Sequence, residues 1–238
     1  MSLALVILAA GASARLGTCK GLVDLGGAPP VERLLRAGRA AAPAATVLVA
    51  GADVAALSAW WRSAAPSPSD EAGPHACSVR GSPHGAVGTT PEPTAGADHD
   101  QDGVRLLLNE RWRAGRTGSV AVAAAALPGV DLCLAPVDVP LVGSGTFASL
   151  RAAWDAAGRP ASGWLAPRFD GRFGHPIVVG RALAKRCAEL APGAPLRDLR
   201  ALAAPLWAID VADPAILDDL DTPADLERLR ASLRAVPS

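Results

Sequence analysis

Gly11, Ser13, Arg15, Gly17 and Lys20 lie close together near the start of the chain, in the stretch Leu8-Ala9-Ala10-Gly11-Ala12-Ser13-Ala14-Arg15-Leu16-Gly17-Thr18-Cys19-Lys20. Glycine takes backbone conformations that a β-carbon forbids, so such a loop lets main chain approach a ligand closely. Backbone N–H groups there, with an arginine and a lysine beside them, suit a polyphosphate. The spacing is neither G-x-x-x-x-G-K-[ST] nor G-x-G-x-x-G, so it excludes the two best-known phosphate loops. Three further groups could do chemistry. Asp138 follows an apolar run, in Val137-Asp138-Val139-Pro140-Leu141, and the carboxyl end of a central strand is where open α/β sheets bind ligands. Asp219 and Asp221 stand in Asp218-Asp219-Leu220-Asp221-Thr222-Pro223-Ala224-Asp225-Leu226. Helix initiation accounts for Thr222, Pro223 and Asp225 in that segment, but not for Asp219 or Asp221. His175, in Gly174-His175-Pro176, is the one histidine outside a polar, Pro/Gly-rich region. It suits binding a phosphate or moving a proton, and equally bracing a turn.

These groups need elements to hold them. Leu3 to Leu8 reads as a buried parallel strand feeding the glycine loop. Residues Val31 to Ala41 have a helical pattern entered through Pro29-Pro30, Thr46 to Ala50 is a second apolar strand, and Asp53 can cap a helix running to Trp61. This βαβα opening predicts a parallel sheet with right-handed crossovers. From about residue 63 to 103 large apolar side chains nearly vanish, which predicts a flexible insert, because too little surface can be buried to offset chain entropy. His75, His84 and His99 fall there and read as scattered solvated side chains. Order resumes with a strand over Val104 to Leu108, an Ala-rich helix over Ser119 to Leu127, a buried strand over Val130 to Pro136 and a helix near Thr146 to Ala157. Two strands around a Gly-rich turn follow over Gly163 to Val179, then helices over Arg181 to Leu190 and Leu196 to Ala203, and a last core strand over Leu206 to Val211. The result is a Rossmann-like three-layer α/β/α domain with a mainly parallel sheet, one domain over 1–238, with a small β-rich portion near 160–180.

Composition narrows the partners. The 238 residues carry 23 basic and 23 acidic side chains, so no global field draws the protein to nucleic acid or anionic lipid, and any attraction for phosphate is local. No apolar run approaches the ~20 residues of a membrane span. The apolar start has no basic n-region, which leads us to expect a cytoplasmic protein and no secretion signal. Cys19, Cys77, Cys133 and Cys187 form no C-x-x-C pair, hence neither a zinc site nor a disulfide framework. Cys133 and Cys187 read as small buried thiols; Cys19 reads as a spacer, or as a thiol whose pKa Lys20 and the loop lower.

The loop resembles LAAG-x-S-x-R-[ML]-G-x-x-K, the signature of the MobA-like nucleotidyltransferases, with Gly11, Ser13, Arg15, Gly17 and Lys20 in register. Three downstream pieces extend the resemblance. Asn109-Glu110-Arg111-Trp112-Arg113-Ala114-Gly115-Arg116-Thr117-Gly118-Ser119 is similar to N-P-x-W-x-x-G-M-x-S-S, with Arg116 where the family has Met. Asp138 matches the Mg²⁺-binding Asp of L-x-D-x-P, and residues 218–226 are close to D-[IL]-D-T-P-x-D-L. The G-x-x-G-H-P-V piece of the acceptor half is echoed around His175, while Arg197 aligns with an arginine of G-D-x-G-x-R in a segment that here lacks the Asp.

The resemblance implies a fold of the nucleotide-diphospho-sugar transferase type and transfer of an NMP from an NTP to a phosphorylated acceptor, with release of pyrophosphate. It implies nucleotide contacts from Leu8, Ala9, Ala10, Gly11, Ser13, Arg15, Lys20, Asn109, Gly115 and Ser119. Arg15, Lys20 and Asp138 would carry the chemistry, Asp138 and Asp221 would hold Mg²⁺, and His175 and Arg197 would meet the acceptor. Ala10, where guanylyltransferases have a second Gly, favours CTP; molybdopterin is one candidate acceptor. Two rival readings stand beside it. An NAD(P)-binding oxidoreductase fits the strand–loop–helix start but lacks G-x-G-x-x-G and an acidic residue closing the second strand. A catalytically weakened nucleotide-binding regulator would explain the altered 115–119 loop.

Overall fold

A computed structural model describes residues 2–64, 99–101, 103–190 and 193–235. Its strands are β1 (Leu3–Ala9), β2 (Ala45–Ala50), β3 (His99–Gln101), β4 (Val104–Leu108), β5 (Asp131–Pro136), β6 (Trp164–Phe169), β7 (Arg172–Phe173), β8 (Ile177–Val179) and β9 (Leu206–Asp210). Its helices are α1 (Pro30–Gly38), α2 (Val54–Ala64), α3 (Arg116–Ala126), α4 (Ser144–Ala156), α5 (Arg181–Lys185), α6 (Leu196–Arg200) and α7 (Pro223–Ala235). The strands join in one mixed sheet ordered β3-β4-β2-β1-β5-β8-β6, with β7 antiparallel and β9 parallel to β6.

Side-chain alternation along β1 shows why the domain has three layers. Leu3, Leu5, Ile7 and Ala9 face one side, against Leu34 of α1, Leu57 of α2 and Phe147 and Trp154 of α4. Ala4, Val6 and Leu8 face the other, against Val120 and Ala123 of α3, Leu183 of α5 and Leu199 of α6. A strand buried on both faces is apolar along its buried length, as β1 is throughout and β2 and β5 are beyond Thr46 and Asp131. The three-layer α/β/α expectation therefore holds, with β1, β2, β4 and β5 all parallel.

The order of these strands creates the ligand crevice. The chain leaves β1 for β2 on one side, and later crosses back to lay β5 on the other side of β1. Connections diverge at such a switch point and open a cleft at the carboxyl ends of the strands. Register makes the cleft compact, because Leu8 pairs with Pro136 and Ala9 with Ala50.

Several boundaries differ from the sequence reading. Most of the expected insert lies outside the described residues, with His75, His84 and Cys77. At its edges α2 runs on through Ala64, and 99–101 pair as β3 instead of belonging to a loop. Helix α3 starts at Arg116, not Ser119: Gly115 takes φ 113°, a conformation open to glycine, and turns the chain straight into the helix. β9 is no core strand. It lies outside β6, with Leu206 48% exposed, so only its inward residues pack. The Gly-rich turn is as expected, with Asp170 at φ 46° and Gly171 at φ 73° forming the tight reversal between β6 and β7.

A buried charge fastens the edge of the central sheet. Asp131, fully buried, accepts hydrogen bonds from Trp154 Nε1 (3.0 Å), from the Arg181 backbone N–H (2.9 Å) and from its guanidinium (3.2 Å). Removing one partner of such a cluster strands the others. Asp131→Ala should therefore lower unfolding free energy by about 3 kcal/mol, read by urea denaturation. An unchanged midpoint would show that the cluster contributes nothing.

Candidate active site

The glycine loop is shaped by its own side chains. Ser13 sits at φ 47°, its carbonyl accepts from the N–H groups of Leu16 and Gly17, and its Oγ accepts from the Lys20 N–H at 3.0 Å. Ser13 thus folds the loop back so that Lys20 opens a short 3₁₀ turn (Lys20–Leu22) under it. Leu16 points away from the cleft into a small apolar cluster with Val23, Leu25, Leu220 and Leu229. That cluster seats α7 and its preceding acidic segment on the loop. Thr222 and Asp225 close a reciprocal capping box at the start of α7, with Asp225 Oδ2 accepting from Thr222 N (2.9 Å) and Thr222 Oγ1 accepting from Asp225 N (3.2 Å).

The consequence is electrostatic. Asp221 accepts from Lys20 Nζ at 2.6 Å and from Arg15 Nη2 at 2.7 Å. Lys20 beside it, before the Arg15 charge, holds the Asp221 carboxyl below the ordinary carboxylate range. Asp138 is reached from the other side. Its carbonyl accepts from the Leu220 N–H at 2.7 Å, and its Oδ2 takes Arg116 Nη2 at 2.8 Å. Among the described side chains, Asp138 Oδ1 is buried with no hydrogen-bond partner. Asp219 completes the acidic group: burial, then the Asp138 and Asp221 charges, push its carboxyl upward, while Arg116 and Lys20 pull it back.

One cleft collects these groups. Leu8, Ala9, Ala10, Gly11, Ser13 and Lys20 line it from the loop, Gly115, Arg116 and Ser119 from the entry of α3, and Asp138 from the end of β5. Lys20 and Asp138 thus open onto the same space, as the sequence reading required. Arg15, largely exposed, stands at the edge and joins through Asp221. Asn109 is behind the wall: its amide donates to Ser119 Oγ at 2.9 Å and its Oδ1 accepts from Arg111 N at 3.0 Å, so it positions Ser119. His175 lies in the break between β7 and β8, where its N–H donates to Ile216 O at 3.1 Å. Its Nδ1 is buried without a partner. Burial, and then the Arg116 charge, lower its pKa to about 4, against a smaller pull from Asp138. It therefore faces the Asp138–Arg116 pair as a neutral ring. Arg197 is exposed on α6 and does not line the cleft, though Ala194 just before it is tied to the α3 entry by Thr117 Oγ1 at 2.6 Å.

Sequence reasoning missed two participants, Arg116 and Asp53, and ranked a third, Asp219, behind Asp221. Arg116 registered only as a departure from a motif. Asp53 does stand at the entry of α2, its carbonyl accepting from Leu57 N at 3.0 Å, but its side chain also lines the cleft. There it takes a hydrogen bond from Cys19, and burial first, then the Asp53 charge, push that thiol up to about 11. The thiol is therefore raised in the free protein and not lowered by Lys20, against the second of the two readings of Cys19.

Gly51 is the remaining unread signal. A β-carbon there would sit 2.5 Å from Ala10 O and 2.6 Å from Trp112 Cβ, so the glycine lets three loops meet behind the cleft. Gly51→Ala should cost about 2 kcal/mol of stability and weaken nucleotide binding, read by melting temperature and by titration. A neutral outcome would mean the loops do not depend on this close approach.

A parallel sheet with its phosphate-type loop, lysine and acidic strand end in one cleft defines a nucleotide-binding transferase. The model of the MobA-like NTP transferase domain matches residues 5–207, and the chain belongs to that family. It is a nucleotidyltransferase of the MobA type. Solved structures similar in fold include Rv0371c of Mycobacterium tuberculosis in complex with manganese (21% identity, TM-score 0.64, covering 98% of this chain and 100% of that one). Another is the molybdopterin-guanine dinucleotide biosynthesis protein A of Archaeoglobus fulgidus (17% identity, TM-score 0.63, 98% and 100%). A third is the 2-C-methyl-D-erythritol 4-phosphate cytidylyltransferase of Thermus thermophilus (21% identity, TM-score 0.57, 99% and 100%). No curated protein sequence matches the chain. Among the described residues no helix is long and apolar enough to cross a membrane.

Proposed function

We propose that the protein transfers an NMP, with CMP favoured, from an NTP to a small phosphorylated acceptor, a pterin phosphate such as molybdopterin among the candidates, and releases pyrophosphate. The observation that carries this reading is the shared cleft of Lys20 and Asp138 at the carboxyl ends of β1 and β5. Ala10 supports the base choice. It lines the cleft, buried, at the position where the guanylyltransferases of the resembled family carry a second glycine. NTP-dependent chemistry on this fold fits a cytoplasmic enzyme.

In the reaction an acceptor phosphate oxygen attacks the α-phosphorus, and the bond to the β,γ-diphosphate breaks. Lys20, Arg15 and the N–H groups of the Gly11–Gly17 loop neutralise the charge that builds on departing pyrophosphate. Asp138, with Asp219 beside it and Asp221 next along the chain, would hold a divalent ion. The unpartnered Asp138 Oδ1 and the mutual repulsion around Asp219 are the marks of a cation-seeking site. When bound, that ion, Mg²⁺ or Mn²⁺, would supply charge neutralisation and orientation of the α-phosphate. Among the described residues no group of three or more His, Cys, Asp and Glu is placed to hold a metal ion by itself. His175 and Arg197 are our acceptor-side residues, His175 as a neutral acceptor or donor near the reacting centre.

The test is a matrix of CTP, GTP and ATP against phosphorylated acceptors, with and without Mg²⁺ or Mn²⁺, read by pyrophosphate release. Absence of turnover with every NTP, alongside a metal-dependent melting shift with CTP, would instead support the regulator, which the Arg116–Asp138 pair alone favours.

A further inference from the structure

Arg116 is the cleft residue without a role in that reading, and its geometry is unusual for a structural ion pair. It is the first residue of α3 and approaches Asp138 from the solvent side, with its side chain 42% exposed against 22% for Asp138. Only one contact is made, Nη2 to Oδ2 at 2.8 Å. A guanidinium that served to lock a carboxylate would use its two-pronged donor face on both oxygens. Here Oδ1 is left buried and unpaired. The pair is therefore easy to dissolve from the open side and incomplete on the closed side.

We propose that Arg116 is a resident counter-ion of the metal-binding carboxylate. It occupies Asp138 in the nucleotide-free protein, yields it when a divalent ion arrives with the nucleotide, and then moves its charge to a phosphate oxygen of the bound triphosphate. This rests on the nucleotidyl-transfer reading above and adds a residue and an order of events to it. Three observations support it besides the pair itself. Arg116 lines the cleft together with Ser13 and Lys20, so a phosphate there is within the sweep of a long, half-exposed side chain. Asp138 Oδ1, buried with no partner among the described side chains, leaves the carboxylate open to a second cation while Oδ2 is held. And Lys20 and Arg15 repeat the arrangement on Asp221, so in the free protein the cations Arg15, Lys20 and Arg116 are spent on Asp138 and Asp221. A free divalent ion then meets a carboxylate already neutralised, and a free triphosphate meets cations already paired. The two ligands together satisfy both sets, which makes their binding mutually reinforcing.

The test compares Arg116→Met and Arg116→Lys with wild type in the intact protein. Mn²⁺ affinity without nucleotide is read by electron paramagnetic resonance of the free ion, and CTP affinity at saturating Mn²⁺ is read by calorimetry. Arg116→Met should bind free Mn²⁺ about tenfold more tightly and CTP in the presence of Mn²⁺ about tenfold more weakly, while Arg116→Lys returns both towards wild type. Equal or weaker Mn²⁺ binding by Arg116→Met overturns the counter-ion role, and unchanged CTP affinity overturns the transfer to phosphate. Asp138→Asn separates the two levels. If it binds Mn²⁺ as wild type does, the metal site itself is misplaced and this inference falls with it. If it loses Mn²⁺ and Arg116→Met leaves Mn²⁺ affinity unchanged, the inference alone fails.

Discussion

Asp138→Asn should lose about a thousandfold or more in metal-dependent kcat/KM, corresponding to ~4 kcal/mol of transition-state stabilisation. The expectation follows from position and exchange of charge alone. The residue follows β5 at the switch point, beside the loop that ends in Lys20, and its Oδ1 has no partner among the described residues. An amide keeps the size of the side chain and an oxygen for Arg116 but removes the negative charge that a divalent ion needs. The fold should be spared, because the link to the acidic segment runs from Leu220 N–H to the Asp138 carbonyl and not to its side chain. The melting temperature should therefore shift by no more than an ordinary surface substitution does, about 0.5 kcal/mol in stability. Wild-type turnover in Asp138→Asn would remove this residue from the reaction.

Lys20→Ala should cost about a hundredfold to a thousandfold in kcat/KM, with most of the loss in kcat. The ammonium makes the shorter of the two contacts to Asp221, 2.6 Å against 2.7 Å for Arg15, and Lys20 lines the cleft while Arg15 stands at its edge. Charge on a departing pyrophosphate grows as the bond breaks, so its stabilisation appears more in the transition state than in binding. A second signature is thermodynamic. Because Lys20 lowers the Asp221 pKa in the fold, the pair contributes stability above the ordinary carboxylate value of 3.8, and this is lost as pH falls through the lowered value. Lys20→Ala should flatten that acid limb of the melting curve, although Arg15 still holds the other oxygen of Asp221. An unchanged kcat/KM would place Lys20 outside the chemistry.

What the sequence disclosed and what it hid divide along a physical line. The glycine loop, Asp138 and the parallel core were legible because each rests on a local pattern: a strand apolar on both faces, glycines at a turn, an acidic residue at a strand end. The pairings inside the cleft were not. Lys20 meets Asp221 from 201 residues away, and Arg116 meets Asp138 from 22, through contacts that no periodicity records. Arg116 was visible as an arginine in a methionine's place, yet only the register of β1 and β5 shows which carboxylate it finds. The α3 boundary was misread for a related reason. Thr117 and Gly118 are weak helix material, and the turn that starts the helix depends on the Gly115 backbone at φ 113°, which the residue type permits but does not announce. Asn109 was read as touching the nucleotide, whereas the structure turns both ends of its amide towards Ser119 and Arg111.

The seating of Leu16 on Leu220 and Leu229 has a consequence for when the enzyme becomes competent. During synthesis the loop, its lysine and Asp138 all emerge from the ribosome well before the acidic segment that orders them. A nascent chain paused short of residue 220 would hold every strand of the sheet and still lack the partner of Lys20 and Arg15. Truncation before residue 220 should therefore disable a centre whose lysine lies 201 residues from its carboxylate partner.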